Sequence, residues 1–280
     1  MTIILISFTI IQFVQSTSQI IDLRFTRYGL ICDGLVLPSP FPRISSAYLF
    51  DTTNAYPSNF VSYPSNFVMS TNYSNEEIRY LHMGPNSTLA SMNSSVMILP
   101  PNESHPTFRL VMRPSDPRSF CDERGMGIAE MPTATAIQIA ASVSLVRNFE
   151  SDNSTMIGTA TDSSAFVIST ISMFDVIPAG VYDTLLAAIR RLGVQTADDE
   201  NINLLPAIEY TIFRSRESAD VVVRIVSFPQ DYLEFNPEGM RLMVRPHSRW
   251  TPFQLGLNTM KHIGILLDYQ HNQIGFCEPL

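Results

Sequence analysis

The chain has 280 residues, of which 45% are hydrophobic and 16% are charged, with a formal net charge of −8. This composition is typical of a globular protein with a buried core and argues against intrinsic disorder. The 18 Lys and Arg residues form no basic cluster, which disfavours a nucleic-acid-binding face or a surface for anionic membranes.

The first 18 residues have the pattern of a secretory signal peptide that lacks a positively charged start. Residues 3–14 are apolar but too few to span a bilayer, and Ser16, Thr17 and Ser18 are small enough for cleavage before Gln19. A buried strand or an anchor helix is the alternative. No other segment of the sequence is long and apolar enough to cross a membrane. We therefore expect a secreted protein, or one in the lumen of an endomembrane or lysosome-like compartment.

Short apolar runs separated by Pro, Gly, Asn and Ser predict a mostly β protein. The clearest runs are residues 47–50, 108–112 and 221–226. Residues 181–192 instead place apolar side chains at the 3.6-residue period of a helix, and Gly193 is suited to end it.

The sequence YPSNFV occurs twice in tandem, at residues 56–61 and 63–68. Two copies are fewer than a stacked repeat fold needs. The repeat is therefore interpreted as a local duplication within a strand or loop.

Five Asn-x-Ser/Thr sequences are candidate glycosylation sites, and four of them lie between residues 72 and 104. This density predicts an exposed, loop-rich region. The five acceptor residues are Asn72, Asn86, Asn93, Asn102 and Asn153.

Residues 255–278 predict a β-hairpin. Leu255-Gly256 leads into a helical turn, residues 263–267 form an apolar strand, residues 268–272 form a polar turn, and residues 274–276 begin the returning strand.

The order of residues in this hairpin resembles the C-terminal end of pepsin-like aspartic peptidases. Four further segments are similar to landmarks of that family, namely residues 125–129, 138–145, 205–212 and 227–233. The resemblance implies a mostly β, bilobal pepsin-like fold with few short helices. It divides the chain into a signal peptide (1–18), an N-terminal lobe (19–132) and a C-terminal lobe (133–280). Only residues 130–137 separate two landmarks that lie far apart in the family, so the fold is expected to be truncated at the lobe junction.

The family cleaves peptides with two aspartates that share a proton, one from each lobe. Residues 48–54 resemble the first catalytic loop, with Asp51 as the retained carboxylate, Thr52 beside it and Thr53 in place of a glycine. Without the resemblance, Asp51 would be read as opening an Asx-turn after a strand. Tyr80 is placed like the tyrosine of the flap that covers the substrate.

The second catalytic loop lacks its aspartate. In the family that residue lies nine positions before a proline that leads into a helix. Here Pro178 precedes the predicted helix, and Ser169 takes the aspartate's place, followed by Thr170 and Ile171. A shift of one residue places Ile168 there, and the nearest acidic residues, Asp162 and Asp175, fall outside the loop.

The resemblance also suggests a disulfide, because Cys32 and Cys121 would lie in one lobe and leave Cys277 unpaired. No cofactor or metal is expected, since the chain has no Cys pair at zinc spacing and no H-E-x-x-H sequence.

Three functional hypotheses follow. The favoured one is a catalytically impaired pseudopeptidase that binds a peptide or protein in its inter-lobe cleft. Loss of one member of a cooperative catalytic set costs about 10⁴-fold or more in rate. The alternatives are an aspartic endopeptidase active at acid pH, and a degenerate or mis-spliced product without a stable cleft.

Overall fold

The computed structural model describes residues 18–26, 29–35, 44–50, 61–62, 68–73, 76–82, 95–112, 114–122, 124–131, 137–147, 155–170, 172–196, 200–237, 239–248 and 253–280. More than half of the described residues lie in strands, which confirms the predicted mostly β class. In chain order the strands are β1 (Gln19–Thr26), β2 (Gly29–Leu35), β3 (Ile44–Phe50), β4 (Val61–Ser62), β5 (Val68–Tyr73), β6 (Glu76–His82), β7 (Ser95–Leu99), β8 (Phe108–Met112), β9 (Gly127–Glu130), β10 (Gln138–Arg147), β11 (Thr155–Ile168), β12 (Asp175–Ile177), β13 (Ala207–Phe213), β14 (Val221–Ser227), β15 (Leu233–Asn236), β16 (Gly239–Leu242), β17 (Val244–Pro246), β18 (Phe253–Leu255), β19 (Gly264–Asp268) and β20 (Gln273–Cys277).

The described strands form two large sheets and a separate hairpin. The first sheet has the order β4-β5-β6-β3-β2-β1-β8-β7-β19-β20-β9. The second has the order β14-β13-β10-β11-β18-β12-β17, and β15 pairs with β16. The predicted C-terminal hairpin is confirmed as β19 and β20, and it lies between β7 and β9 of the first sheet. All strands of the second sheet therefore lie between residues 138 and 255, and the chain then returns to the first sheet.

The helices are few and mostly short. They are α1 (Ala179–Leu192), α2 (Pro229–Tyr232) and α3 (Leu257–Met260), with 3-10 turns at Pro117–Phe120 and Glu200–Leu204. The predicted helix is confirmed as α1, which ends at Gly193 with φ 68°, a conformation that glycine adopts without strain. In the part of the chain that the structure describes, no helix combines the length and the apolar character needed to cross a bilayer.

One continuous hydrophobic core joins the two sheets. Leu23 and Leu30 enter it from the first sheet, and Phe166 and Tyr210 from the second. Each of these side chains is at most 1% exposed. Burial of one leucine side chain contributes about 1.5–3 kcal/mol, so contacts of this kind hold the sheets together.

The disulfide predicted between Cys32 and Cys121 is wrong. The structure joins Cys121 to Cys277, with their Cα atoms 5.5 Å apart. Cys277 ends β20, and Cys121 forms an isolated β-bridge with Pro279, which brings the two sulfurs together. Cys32 is buried in β2, separated from β20 in the sheet by β1, β8, β7 and β19.

Candidate functional site

The segment that follows β11 carries the residues aligned with the second catalytic loop. β11 ends in a parallel pairing with β18, where Ile168 lies opposite Leu255. The amide of Ile168 donates to the carbonyl of Ile137 (3.0 Å), and the amide of Ser169 donates to the carbonyl of Leu255 (2.9 Å). The exit from the strand is therefore fixed on both sides by backbone hydrogen bonds.

Ser169 and Thr170 lie where the two sheets meet. The amide of Leu30, in β2, donates to the carbonyl of Thr170 at 3.1 Å. Ser169 is 2% exposed and Thr170 is fully buried. A serine hydroxyl does not ionise in the range where carboxylates titrate, so Ser169 cannot share a proton with a partner carboxylate.

The chain after this loop packs closely on the turn between β18 and α3. The amide of Leu257 donates to the carbonyl of Ser172 at 2.8 Å. A Cβ added to Gly256 would lie 2.5 Å from the carbonyl oxygen of Phe174 and 2.9 Å from that of Ser172. Only glycine permits this approach, which explains why a glycine follows Leu255.

Asp175, at the start of β12, is the acidic side chain that the structure buries most completely among the described residues. Its Oδ1 accepts from the amide of Gly256 (2.7 Å). Its Oδ2 accepts from the hydroxyls of Thr259 (2.6 Å) and Tyr210 (3.0 Å). The carboxyl group thus joins β12 to β13, to the β18–α3 turn and to α3.

Burial raises the pKa of Asp175 from 3.8 to about 6. The hydrogen bonds from Thr259, Gly256 and Tyr210 and the positive charge of Lys261 act in the opposite direction but do not outweigh it. Burial and the neighbouring Asp175 also hold the pKa of Tyr210 well above 10, so its hydroxyl stays protonated. Both oxygens of Asp175 are occupied by protein donors and neither faces solvent, so its role is to hold elements together rather than to activate water.

Asp175 was not predicted as a site residue, because in the sequence it lies outside the segment that resembles the second catalytic loop. Its position within the apolar run Phe174-Asp175-Val176-Ile177 is the one signal that could have marked it, because a strand of this kind buries its side chains. A buried carboxylate needs donors around it. The sequence does not reveal that Tyr210 and Thr259 supply them.

The other predicted site residues are only partly described. Asp51, Thr52, Thr53 and Ile171 lie outside the described residues, and β3 ends at Phe50, directly before Asp51. Tyr80 lies in β6, opposite Tyr48 of β3 and Met69 of β5, so its backbone is paired on both sides.

The candidate glycosylation sites are described at two positions. Asn102 accepts a hydrogen bond from the amide of His105 (2.8 Å) and donates one from its side-chain nitrogen to the carbonyl of Leu280 (2.8 Å). Asn72 lies in β5. Asn86, Asn93 and Asn153 fall outside the described residues.

A second carboxylate, that of Asp231 in α2, contacts Lys261 and His262 at the end of α3. Burial alone would raise the pKa of Asp231, but the hydrogen bond and charge of His262, the amide of Phe228 and the Lys261 ammonium lower it to about 2. Lys261 Nζ lies 3.0 Å from Asp231 Oδ1, and His262 Nε2 lies 3.2 Å from Oδ2. The ionised Asp231 therefore stabilises the contact between the two short helices.

The described residues contain no group of three or more His, Cys, Asp or Glu side chains that could hold a metal ion. No protein-family model matches the chain, and no curated protein matches it significantly.

Proposed function

We propose that the protein is a secreted, shortened, bilobal pepsin-like protein that binds an extended peptide or protein in its inter-lobe cleft without cleaving it efficiently. The observation that carries this proposal is Ser169, which aligns in sequence with the second catalytic aspartate of the pepsin-like family and lies buried at the contact between the two sheets. A lone carboxylate at Asp51 lacks the partner with which it would share a proton.

Asp175 is the nearest acidic residue after Ser169 that the structure describes, and it does not supply the missing group. Its oxygens are held by Gly256, Thr259 and Tyr210, and the side chain is fully buried. Asp162, on the other side of Ser169, lies within the body of β11. An active endopeptidase would need a carboxylate from elsewhere, which is why the binding role is preferred.

Secretion is supported by the apolar start of the sequence and by the disulfide between Cys121 and Cys277. Disulfides persist in oxidising compartments and are rare in the cytosol. The two sheets with a shared core are compatible with two lobes, and the crossing of β19 and β20 into the first sheet is compatible with a joining element between them.

Cleavage and binding should be measured on the same secreted sample. Fluorogenic peptides are incubated from pH 3 to pH 7 with and without pepstatin, and binding of pepstatin and of an extended-peptide library is measured by calorimetry. We expect saturable binding without pepstatin-sensitive cleavage. Asp51→Asn should weaken the binding, whereas Asp183→Asn, an exposed change on α1, should leave it unchanged.

Each other outcome selects a different hypothesis. Pepstatin-sensitive cleavage that Asp51→Asn abolishes would overturn the pseudopeptidase role in favour of an acid endopeptidase. A cooperatively unfolding sample that binds no peptide would reject the cleft. A sample without a cooperative unfolding transition would indicate a degenerate product.

A further inference from the structure

Two arginine side chains rest on one aromatic ring beside β12. Arg245, in β17, places its guanidinium carbon 3.6 Å from the centre of the Phe174 ring, and Arg241, in β16, places its own 4.8 Å from the same centre. The two guanidinium carbons are therefore at most 8.4 Å apart, the sum of these distances. Both arginines are exposed and Phe174 is half-buried, so the charged pair faces solvent on a ring that anchors it.

The second sheet holds this ring and Arg245 in place. Val176 of β12 lies opposite Arg245 of β17 and opposite Gln254 of β18, so the three side chains share one face of the sheet. Phe174 lies two residues before Val176, and its carbonyl accepts a hydrogen bond from Gln254 Nε2 at 2.8 Å. Because stacking on the ring already restrains the Arg245 side chain, binding of a ligand would cost it less conformational entropy.

The hydrogen-bond donors of Arg245 are available to a ligand. Within the described ranges, the arginines paired with acidic side chains are Arg124, Arg214 and Arg241, and Arg245 is not among them. Stacking covers the flat face of a guanidinium and leaves the N–H groups at its edge, which can bind a carboxylate through two parallel hydrogen bonds.

The charge of Arg241 is only weakly compensated. Its Nη1 lies 3.7 Å from Glu234 Oε2, and both side chains are about half exposed, so this ion pair contributes little. Asp175, next to Phe174 in the sequence, is fully buried, and its oxygens accept from other donors. A chain with a formal net charge of −8 thus carries a local surface that favours anions.

The spacing of the two arginines fits an extended polypeptide. In a β-strand, the side chains of residues i and i+2 point to the same side and lie about 6.8 Å apart. This separation is within the 8.4 Å limit on the distance between the guanidinium carbons. Two acidic residues separated by one residue can therefore each meet one arginine.

We propose that Arg241, Arg245 and Phe174 form a docking surface for an extended acidic polypeptide segment, in which two Asp or Glu residues separated by one residue each bind one guanidinium. Arg245 carries the larger share of the affinity, because Arg241 also contacts Glu234. The surface uses neither Asp51 nor Ser169, so it does not depend on the proposed function.

Fluorescence anisotropy of labelled peptides with the full chain tests the surface. The peptides differ only in their acidic positions: Glu at i and i+2, Gln at both, or Glu at i and i+1. We expect the first peptide to bind about 10-fold more tightly than the Gln peptide, since hydrogen bonds between charged groups are the stronger ones. The third should bind more weakly than the first, because adjacent side chains of an extended chain point to opposite sides.

Variants of the protein separate a specific site from general charge. Arg245→Gln should weaken binding of the first peptide by about 10-fold. Arg245→Lys keeps the charge but loses the planar pair of donors, and should weaken binding by about threefold or more. Arg214→Gln is the matched control, because it removes the same charge from an arginine that pairs with Asp220, and it should change the affinity by less than about twofold.

Equal binding of the Glu and Gln peptides would overturn the proposal, as would equal losses in Arg245→Gln and Arg214→Gln or wild-type affinity in Arg245→Lys. Tighter binding of inorganic phosphate or a sulfated oligosaccharide, with the same dependence on Arg245, would also overturn the polypeptide as the ligand. Saturating pepstatin should leave the acidic peptide bound, and its displacement would contradict a separate surface. A chain that binds the acidic peptide but neither pepstatin nor the peptide library would reject the proposed function alone.

Discussion

The amide of Leu30 donates a hydrogen bond to the carbonyl of Thr170 across the contact between the two sheets, with nitrogen and oxygen 3.1 Å apart. Leu30 belongs to β2 and its side chain is fully buried. Thr170, which follows β11, is therefore held in place by a backbone hydrogen bond from the first sheet.

Truncation of this side chain should weaken the junction. Leu30→Ala is expected to lower the free energy of unfolding by about 2–5 kcal/mol, because it leaves a cavity where the sheets meet. Urea denaturation measures the change. Ile20→Ala, at a side chain that is 54% exposed on the neighbouring β1, serves as the control and should cost far less. Equal losses in the two variants would contradict a shared core at this point.

Substitution by alanine should lower the stability of the protein at Gly256 and raise it at Gly180. Gly256→Ala forces a Cβ to within 2.5 Å of a backbone carbonyl, so we expect a loss of stability of several kcal/mol or a failure to fold. Gly180 lies in α1 with no atom within 4 Å of an added Cβ, and alanine there should stabilise by up to about 1 kcal/mol. Thermal denaturation measures both changes, and a Gly256→Ala variant as stable as the wild type would contradict the close approach of Ser172 and Phe174 to Gly256.

The disulfide should appear as one peptide pair in a non-reducing digest, with Cys121 linked to Cys277. Cys121→Ser and Cys277→Ser should each lower the free energy of unfolding by about 2–5 kcal/mol, and the double variant should lose no more than either single one. Mass spectrometry that links Cys32 to either residue would contradict the observed pairing.

Asp231 should stabilise the fold less at low pH than near neutral pH. Its pKa of about 2 lies below the ordinary 3.8, so its contribution is present above pH 4 and is lost as the pH falls through about 2. Asp231→Asn is expected to cost about 1–2 kcal/mol at pH 6, after allowance for solvent screening, and almost nothing near pH 2. Chemical denaturation at the two pH values measures the difference, and a cost that is equal at both would refute the ion-pair explanation.

Local patterns predicted the local structure. The 3.6-residue period of residues 181–192 marked α1, and the turn residues between two apolar runs marked β19 and β20. The disulfide was missed because it depends on which strands become neighbours, and the sequence does not state that β20 joins the first sheet. The role of Asp175 was missed for a similar reason, because its three donors come from distant segments.

The position of β19 and β20 has a consequence for the order in which the chain can assemble. β7 and β9 each find a partner strand in this hairpin, and the hairpin is synthesised only after all of the second sheet. Until then β7 and β9 each present an edge with unsatisfied amides and carbonyls, and such edges favour pairing with other chains. The first sheet can therefore be completed only after translation has passed residue 277. Pairing between strands that are far apart in sequence favours slow folding, and it prolongs the time during which β7 and β9 are exposed to aggregation.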